Sequence, residues 1–256
     1  MTSSTPASVT ALYRYPVKGF AGQSLDTVEL AEGETMPLDR AWAIENGPGR
    51  FDPQNPRPLP KISFLMLMRN ERLAALGIEF DEAEQVLVLS RDGRQVARGA
   101  LNTQIGRRLI EQFIAGYMPE DLRGAPRIVH APGHSFSDVG IKCVHIVNLA
   151  SVRELERAVG KPVDPMRFRA NIYIDAQEPW VEFDWVGETV RAGSVTFEVC
   201  DRTERCEATN VNPETATRDM ALPAALTRAY DHHDFGVYAI VSGGGKLAPG
   251  DEFAIV

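Results

Sequence analysis

The sequence predicts a mainly β protein with a few helices, an α+β fold built on barrels, and three observations carry that prediction. Most periodic segments are short and strand-like; Gly, Pro, Asn and Asp turns separate them; and only three stretches hold helical periodicity, too few to alternate with strands as βαβ units. With 256 residues and 44% hydrophobic content, the chain can bury one large core or two modest ones.

In chain order, the first predicted strands are Val9 to Val17, Leu25 to Leu30 and Ala41 to Glu45. Gly47 to Pro60 (GPGRFDPQNPRPLP) is a long loop, because its prolines remove ladder donors at several positions. Phe64 to Met68, bounded by Lys61 and Arg69, is too short to cross a bilayer and reads as a buried strand. Val86 to Ser90 is the next strand. A helix capped by Asn102 follows, with Ile105, Leu109, Ile110 and Phe113 on the face that packs against a sheet. The turn-forming run Gly116 to Pro126 places a domain boundary there, giving a domain over 1–118 and another over 119–256. Strand Val144 to Asn148 leads to a second helix, which begins at Ser151 with Glu154 at capping-box spacing and ends at Gly160 before Pro162. Strands Asn171 to Asp175 and Val195 to Cys200 precede a third helix, Pro223 to Tyr230, with proline in its first turn, and Val237 to Val241 is a last strand.

A formal net charge of −8 argues against a nucleic-acid binder, which needs a basic surface, so any anionic ligand must be held by a local cluster of cations. Three cysteines, Cys143, Cys200 and Cys206, are too few for a disulfide framework and lack the spacing of zinc or iron–sulfur sites. The opening residues MTSSTPASVT have neither the basic flank nor the apolar core of a secretory signal, so the expected compartment is the cytoplasm, with no membrane span.

Cys206 stands where an apolar strand pattern ends in a polar loop, beside Arg205, whose guanidinium favours the thiolate that binds soft metals or attacks electrophiles. The alternative is a small buried hydrophobe. Lys18 (YPVKG), Arg40 (LDRAW), Arg169 (RFRAN) and Arg205 sit at strand ends or in loops, either solvated and paired with carboxylates or gathered on one ligand. Arg40 follows Asp39, a simple ion pair. Arg169 and Asn171 alternate on one strand face, so a guanidinium and an amide can address the same phosphate or pterin edge. His232 and His233 are adjacent on an extended chain, point to opposite sides and cannot easily share a metal. His130 and His134 belong to no Cys–His catalytic pattern. Cys143 reads as core, and a Cys200–Cys206 disulfide is conceivable in geometry but not expected in the cytosol.

Taken in order, YPVKG (15–19), LDRAW (38–42), LMLMRNERLAAL from Leu65, FSD (136–138) before NLASVRELE, RFRANIYID from Arg167, RCEATNVNPET from Arg205, FGVYAIV from Phe235 and PGDEF from Pro249 resemble the MOSC family, the molybdenum-cofactor sulfurase C-terminal domain. The likeness includes the N-terminal β-barrel domain that usually precedes it. It implies a β-barrel MOSC domain packed with a barrel-like N-terminal domain, and a molybdopterin-type molybdenum cofactor whose metal is ligated by Cys206. It further implies that Lys18, Arg40, Arg169, Arg205 and Asn171 hold the pterin and phosphate, with Ser137 and Asp138 beside them. The implied activity is reduction of N-oxygenated small molecules, with a cofactor-handling or sulfur-carrying role through a Cys206 persulfide as the alternative. No ferredoxin-like domain and no pyridoxal-phosphate domain fits in the chain, so electrons are expected from a separate flavin or iron–sulfur reductase. Where similar proteins often carry a cysteine or serine close before the Arg–Cys pair, this chain reads TERC, and Glu204 places a carboxylate near the site.

Overall fold

Alternation builds the first element. β1 (Ala7–Arg14) buries Ala7, Val9 and Leu12 and exposes Ser8 and Thr10, as a strand with one face on a core must. The structure is a computed structural model that describes residues 7–256; residues 1–6, the start of the stretch read above for an export signal, lie outside the described residues. After β1 come β2 (Gln23–Leu25), β3 (Val28–Leu30), β4 (Trp42–Glu45), β5 (Gly77–Asp81), β6 (Val86–Arg91), β7 (Arg94–Ala100) and helix α1 (Gln104–Tyr117). The remainder is β8 (Arg127–His130), β9 (Val144–Asn148), α2 (Leu149–Val159), β10 (Ile172–Asp175), β11 (Thr189–Ala192), β12 (Val195–Glu204), α3 (Leu222–Tyr230), β13 (Asp234–Gly243), β14 (Gly245–Leu247) and β15 (Glu252–Ile255).

Strands β10, β9, β13, β12, β11, β15 and β1 follow one another in a sheet that closes when β1 pairs back onto β10, with β2 added outside β1. The result is a mainly β fold with three helices, a closed seven-strand barrel and smaller sheets. Closure removes the sheet edges that would otherwise need protection. The ring is antiparallel except at β9–β10, and β1 enters it through Val9 opposite Ile174 and Ala7 opposite Phe253. Its interior is filled by Val9, Leu12, Ile146, Phe197, Val237 and Phe253. A second core, with Trp42, Leu65, Leu73, Leu87, Leu89, Ile110 and Ile114, lies under the β5–β6–β7 sheet and α1. Among the described residues no helix is long and apolar enough to cross a membrane.

Several local expectations change. Thr103, not Asn102, caps α1 by accepting from the Gly106 amide at 3.0 Å. The helix buries Gly106, Ile110 and Ile114, while Ile105 and Leu109 are exposed. The cause is close approach: a Cβ on Gly106 would stand 2.2 Å from the Ala100 carbonyl, so the helix backbone itself rests on β7. The second helix starts at Leu149, capped by Asn148 through the Ala150 amide at 3.0 Å. Ser151 cannot cap, because its hydroxyl donates to Glu182 (2.7 Å) and accepts from the Trp180 amide (2.8 Å). It ends as expected, at Gly160 with φ 71°. Phe64 to Met66 are buried, yet no strand forms beyond a bridge to Glu45, since Asn70 closes the segment into a turn by accepting from the Met66 amide at 3.1 Å. The loop from Gly47 to Pro60 holds no strand or helix.

Candidate functional site

β12 runs out of the barrel at Glu204, and the chain is held there by the Arg205 amide donating to the His233 carbonyl at 2.9 Å. Cys206 follows in extended conformation (φ −108°, ψ 173°) and opens a single helical turn, its carbonyl accepting from the Thr209 amide at 3.1 Å and hydroxyl at 3.0 Å. The thiol is free and half-buried. It lines a cleft of about 610 Å³ together with Lys18, Arg40, Ser137, Asp138, Arg169, Asn171 and Arg205. Residues spread over most of the chain thus converge on one place.

The cations are fixed individually. Lys18 Nζ donates to Asp138 Oδ1 (2.5 Å) and to the Phe136 carbonyl (2.8 Å). Arg40 pairs with Asp39 and donates to the Arg169 carbonyl at 3.2 Å. Arg169 donates to the Phe20 carbonyl at 2.6 Å, and both guanidinium groups lie on the Tyr15 ring, at 4.8 Å for Arg40 and 4.3 Å for Arg169. Arg40 (φ 51°) and Arg169 (φ 54°) both occupy the left-handed region, which costs a residue with a Cβ about 1 kcal/mol and persists only where the surroundings impose it. Arg205 donates to the Phe168 carbonyl at 2.8 Å, but its Nε is buried without a partner. Asn171 lines the cleft, although its amide serves the barrel, accepting from the His145 amide (3.1 Å) and donating to the Tyr13 carbonyl (3.2 Å).

Crowding like charges in a buried cleft has consequences for protonation. Burial, and next the Arg40 charge, bring Arg169 down to about 10. Burial lowers Lys18, with Asp138 opposing it. For Asp138 burial pushes upward, but Lys18 outweighs it and holds the carboxyl below its ordinary value. Burial also opposes the Arg40 charge, yet Asp39 and Tyr15 together hold it above the ordinary value. Burial drives Tyr15 up to about 12 and Cys143 up to about 12, so phenol and thiol stay neutral. His145, fully enclosed and close to Arg205, is pushed well below the ordinary imidazole value. Around the cleft six Lys and Arg side chains face the four carboxylates of Asp39, Asp138, Asp201 and Glu204, so its lining carries a small excess of positive charge.

Two family models account for most of the chain: the MOSC N-terminal beta barrel domain matches residues 6–113, and the MOSC domain matches residues 133–254. The chain belongs to the MOSC family. Among curated proteins it is similar to the molybdenum cofactor sulfurase of Danio rerio, 32% identical over 107 residues, and to that of Caenorhabditis elegans, 33% identical over 97 residues. Each match covers 36% of this chain and 13% of the longer protein, so the matched segment is a small part of those relatives. Among solved structures it is similar to the YUAD protein from Bacillus subtilis (TM-score 0.47, 14% identity, 100% of this chain and 98% of that one). A second is YiiM from Geobacillus stearothermophilus (TM-score 0.35, 19% identity, 44% and 53%).

Other residues of this MOSC protein fall away from the cleft or were not foreseen. His130 stacks on Trp42 at 5.1 Å, and His134 packs on Phe51 and Phe136, both lining a smaller neighbouring hollow. His232 sits among Trp180, Phe183 and Tyr230 while His233 turns to Glu204, so the two histidines do diverge. No group of three or more His, Cys, Asp or Glu suited to a metal ion occurs among the described residues. Cys200 donates to the Tyr238 carbonyl at 3.3 Å and is not bonded to Cys206. Cys143 is buried as expected, but it also borders the cleft. The Asp39–Arg40 ion pair forms as the sequence leads one to expect, whereas Tyr15, His145 and Tyr238 are not marked out by residue type: Tyr15 precedes Lys18 in its motif, and the other two stand opposite each other across β9 and β13, hidden within apolar strand patterns.

Proposed function

We propose that this MOSC protein binds a molybdopterin-type molybdenum cofactor in the 610 Å³ cleft and reduces N-oxygenated compounds with electrons from a separate flavin or iron–sulfur reductase. The observation that carries the reading is the meeting of a free thiol, Cys206, with Lys18, Arg40, Arg169 and Arg205 in one cleft of an otherwise acidic chain. The fit is chemical. A soft thiolate suits a metal already held by a dithiolene, and clustered guanidiniums suit a phosphate. The Arg205 Nε, buried on the residue that precedes the thiol, is a donor for which no described residue provides an acceptor. Ser137, Asp138 and Asn171 complete the polar lining. We further assign residues 1–118 and 119–256 to two domains that build the cleft together, in a cytoplasmic protein.

When bound, the molybdenum supplies two-electron redox exchange. The chain's own residues would set the rest: Cys206 would hold the metal side and the cations would orient the anionic side, while Arg40 and Arg169 rest on the neutral Tyr15 ring, which adds no charge. Overall, an N-hydroxy compound takes up two electrons and two protons, its N–O bond breaks, and water leaves. The test is reduction of benzamidoxime by the molybdenum-loaded protein with a chemical electron donor. Formation of benzamidine supports the assignment, and a loaded protein that forms none overturns it.

A second reading is favoured by the similarity to molybdenum cofactor sulfurases. In it Cys206 carries a persulfide for delivery to a metal–sulfur centre. Mass spectrometry after incubation with a cysteine desulfurase separates the two, since a metal-ligated thiol accepts no sulfur.

A further inference from the structure

Two arginines hold the turn that follows Cys206, and they differ in how firmly they do so. Glu207–Asn210 form a single helical turn, and a turn this short leaves its carbonyls without partners of its own. Arg167, with its side chain only 2% exposed, donates to the Thr209 carbonyl at 3.4 Å and the Asn210 carbonyl at 3.2 Å. It is fixed in turn by a two-pronged pair with Asp219, at 2.7 and 2.9 Å. Breaking that pair would leave a buried guanidinium without its counter-charge, so this side of the turn stays closed.

Arg218, the residue before Asp219, holds the other side. A bridge between Val211 and Arg218, with the Asn212 amide donating to the Thr217 carbonyl at 2.8 Å, folds its loop back on itself. One guanidinium nitrogen, Nη1, donates to the Glu207 carbonyl at 3.2 Å. The other, Nη2, donates to the carbonyls of Leu67 (3.2 Å) and Met68 (2.8 Å) and pairs with Glu71 at 3.2 Å. A single side chain thus joins the part of the chain matched by the N-terminal barrel model to the part matched by the MOSC model. Met66, Leu67 and Met68 line the cleft, as do Cys206 and Ala208, whereas Arg218 stands outside it. Among the described residues no other hydrogen bond joins residues 61–75 to residues 195–221. Arg218 is 32% exposed and Glu71 40%, so this tie can open while that of Arg167 holds.

We propose that Arg218 is a positioning residue that clasps the Met66–Met68 strap to the Cys206 turn and thereby sets how slowly a cofactor bound in the cleft escapes. The inference rests on the cofactor-binding reading above and adds to it what governs retention. Arg218 acts through backbone one residue beyond the thiol and touches neither thiol nor cleft. Its charge is secondary, because an exposed pair such as that with Glu71 contributes little. The holding is done by three carbonyls that a planar fork reaches together and an ammonium does not.

The test compares wild type, Arg218→Gln, Arg218→Lys and Glu71→Gln, each purified from a cofactor-supplied host. The proteins are diluted, released cofactor is removed by gel filtration at intervals, and molybdenum per chain is measured. Arg218→Gln should lose molybdenum about ten-fold faster than wild type, the yield of roughly one charged hydrogen bond. Arg218→Lys, which keeps the charge but not the fork, should match it, and Glu71→Gln should keep the wild-type rate. The cofactor-free Arg218 variants should melt less than about 5 °C below wild type. The electron paramagnetic resonance spectrum of the partly reduced metal, which reads thiolate geometry, should broaden in both. Wild-type retention in either Arg218 variant, an unchanged spectrum, or a larger fall in melting, which marks a merely structural arginine, overturns the inference alone. A wild type purified without molybdenum overturns the cofactor reading, and the inference with it.

Discussion

Replacing Arg169 with glutamine separates the cost of assembling the cleft from its use. Burial and then Arg40 bring this guanidinium from 12.5 to about 10, which amounts to roughly 3 kcal/mol of unfavourable charge in the fold. Against it stand the charged hydrogen bond to the Phe20 carbonyl, worth about 2 kcal/mol, and the stacking on Tyr15, worth about 1 kcal/mol. These contributions nearly cancel. Glutamine in the same left-handed backbone keeps the local strain, so Arg169→Gln should move the melting temperature by no more than about 3 °C. Truncating an ordinary buried, paired arginine costs about 3–5 kcal/mol and would lower it by about 10 °C. Since the folded value lies below the unfolded one, the penalty is complete at every pH below about 10 and lifts only as the pH climbs from there toward 12.5. The small effect on melting should therefore be constant across neutral pH. Molybdenum content after expression with cofactor should fall to less than half. Melting by differential scanning calorimetry with metal analysis of the same samples reads both. A drop near 10 °C, or undiminished metal, refutes the reasoning.

Burial, with Arg205 next, depresses His145 far below the unfolded imidazole, so the unfolded state takes up a proton that the folded state refuses as pH falls through about 6.5. Wild-type stability should then decline by up to about 1.4 kcal/mol per pH unit below that point, and urea titrations of His145→Gln should show a correspondingly flatter slope. Gly106→Ala places a methyl 2.2 Å from the Ala100 carbonyl and must lift α1 off β7. Its cost should be about 3 kcal/mol in urea unfolding; a neutral effect would mean the helix rests on its side chains instead.

Much of this arrangement was legible in the sequence because local rules set it. The alternation in Val195 to Cys200 and Val237 to Val241 marks β12 and β13, Gly160 marks the end of α2, and the change from apolar to polar after Cys200 marks where the thiol emerges. Other features depend on partners far along the chain. The ring closes only because β1 finds β10 and β15, more than 150 residues away, through pairs such as Val9 with Ile174. The apolar pattern of α1 suggested Ile105 and Leu109 as buried, but the absence of a side chain at Gly106 decided the packing face. At the cleft, residue types and motifs pointed to Lys18, Arg40, Arg169, Arg205 and Cys206, and the structure brings them together. It also shows what residue type alone could not: the amide of Asn171 is occupied by backbone groups of His145 and Tyr13, and Glu204 is held by His233.

The most direct test of the molybdenum assignment is the metal content of wild type and Cys206→Ser, both purified from a host supplied with cofactor. Cys206 is a free thiol in a half-buried position, and serine keeps its shape, so folding should be unaffected and circular dichroism should match. The account predicts molybdenum near one atom per chain in the wild type and a loss of most of it in Cys206→Ser. Equal molybdenum in the two proteins would contradict it.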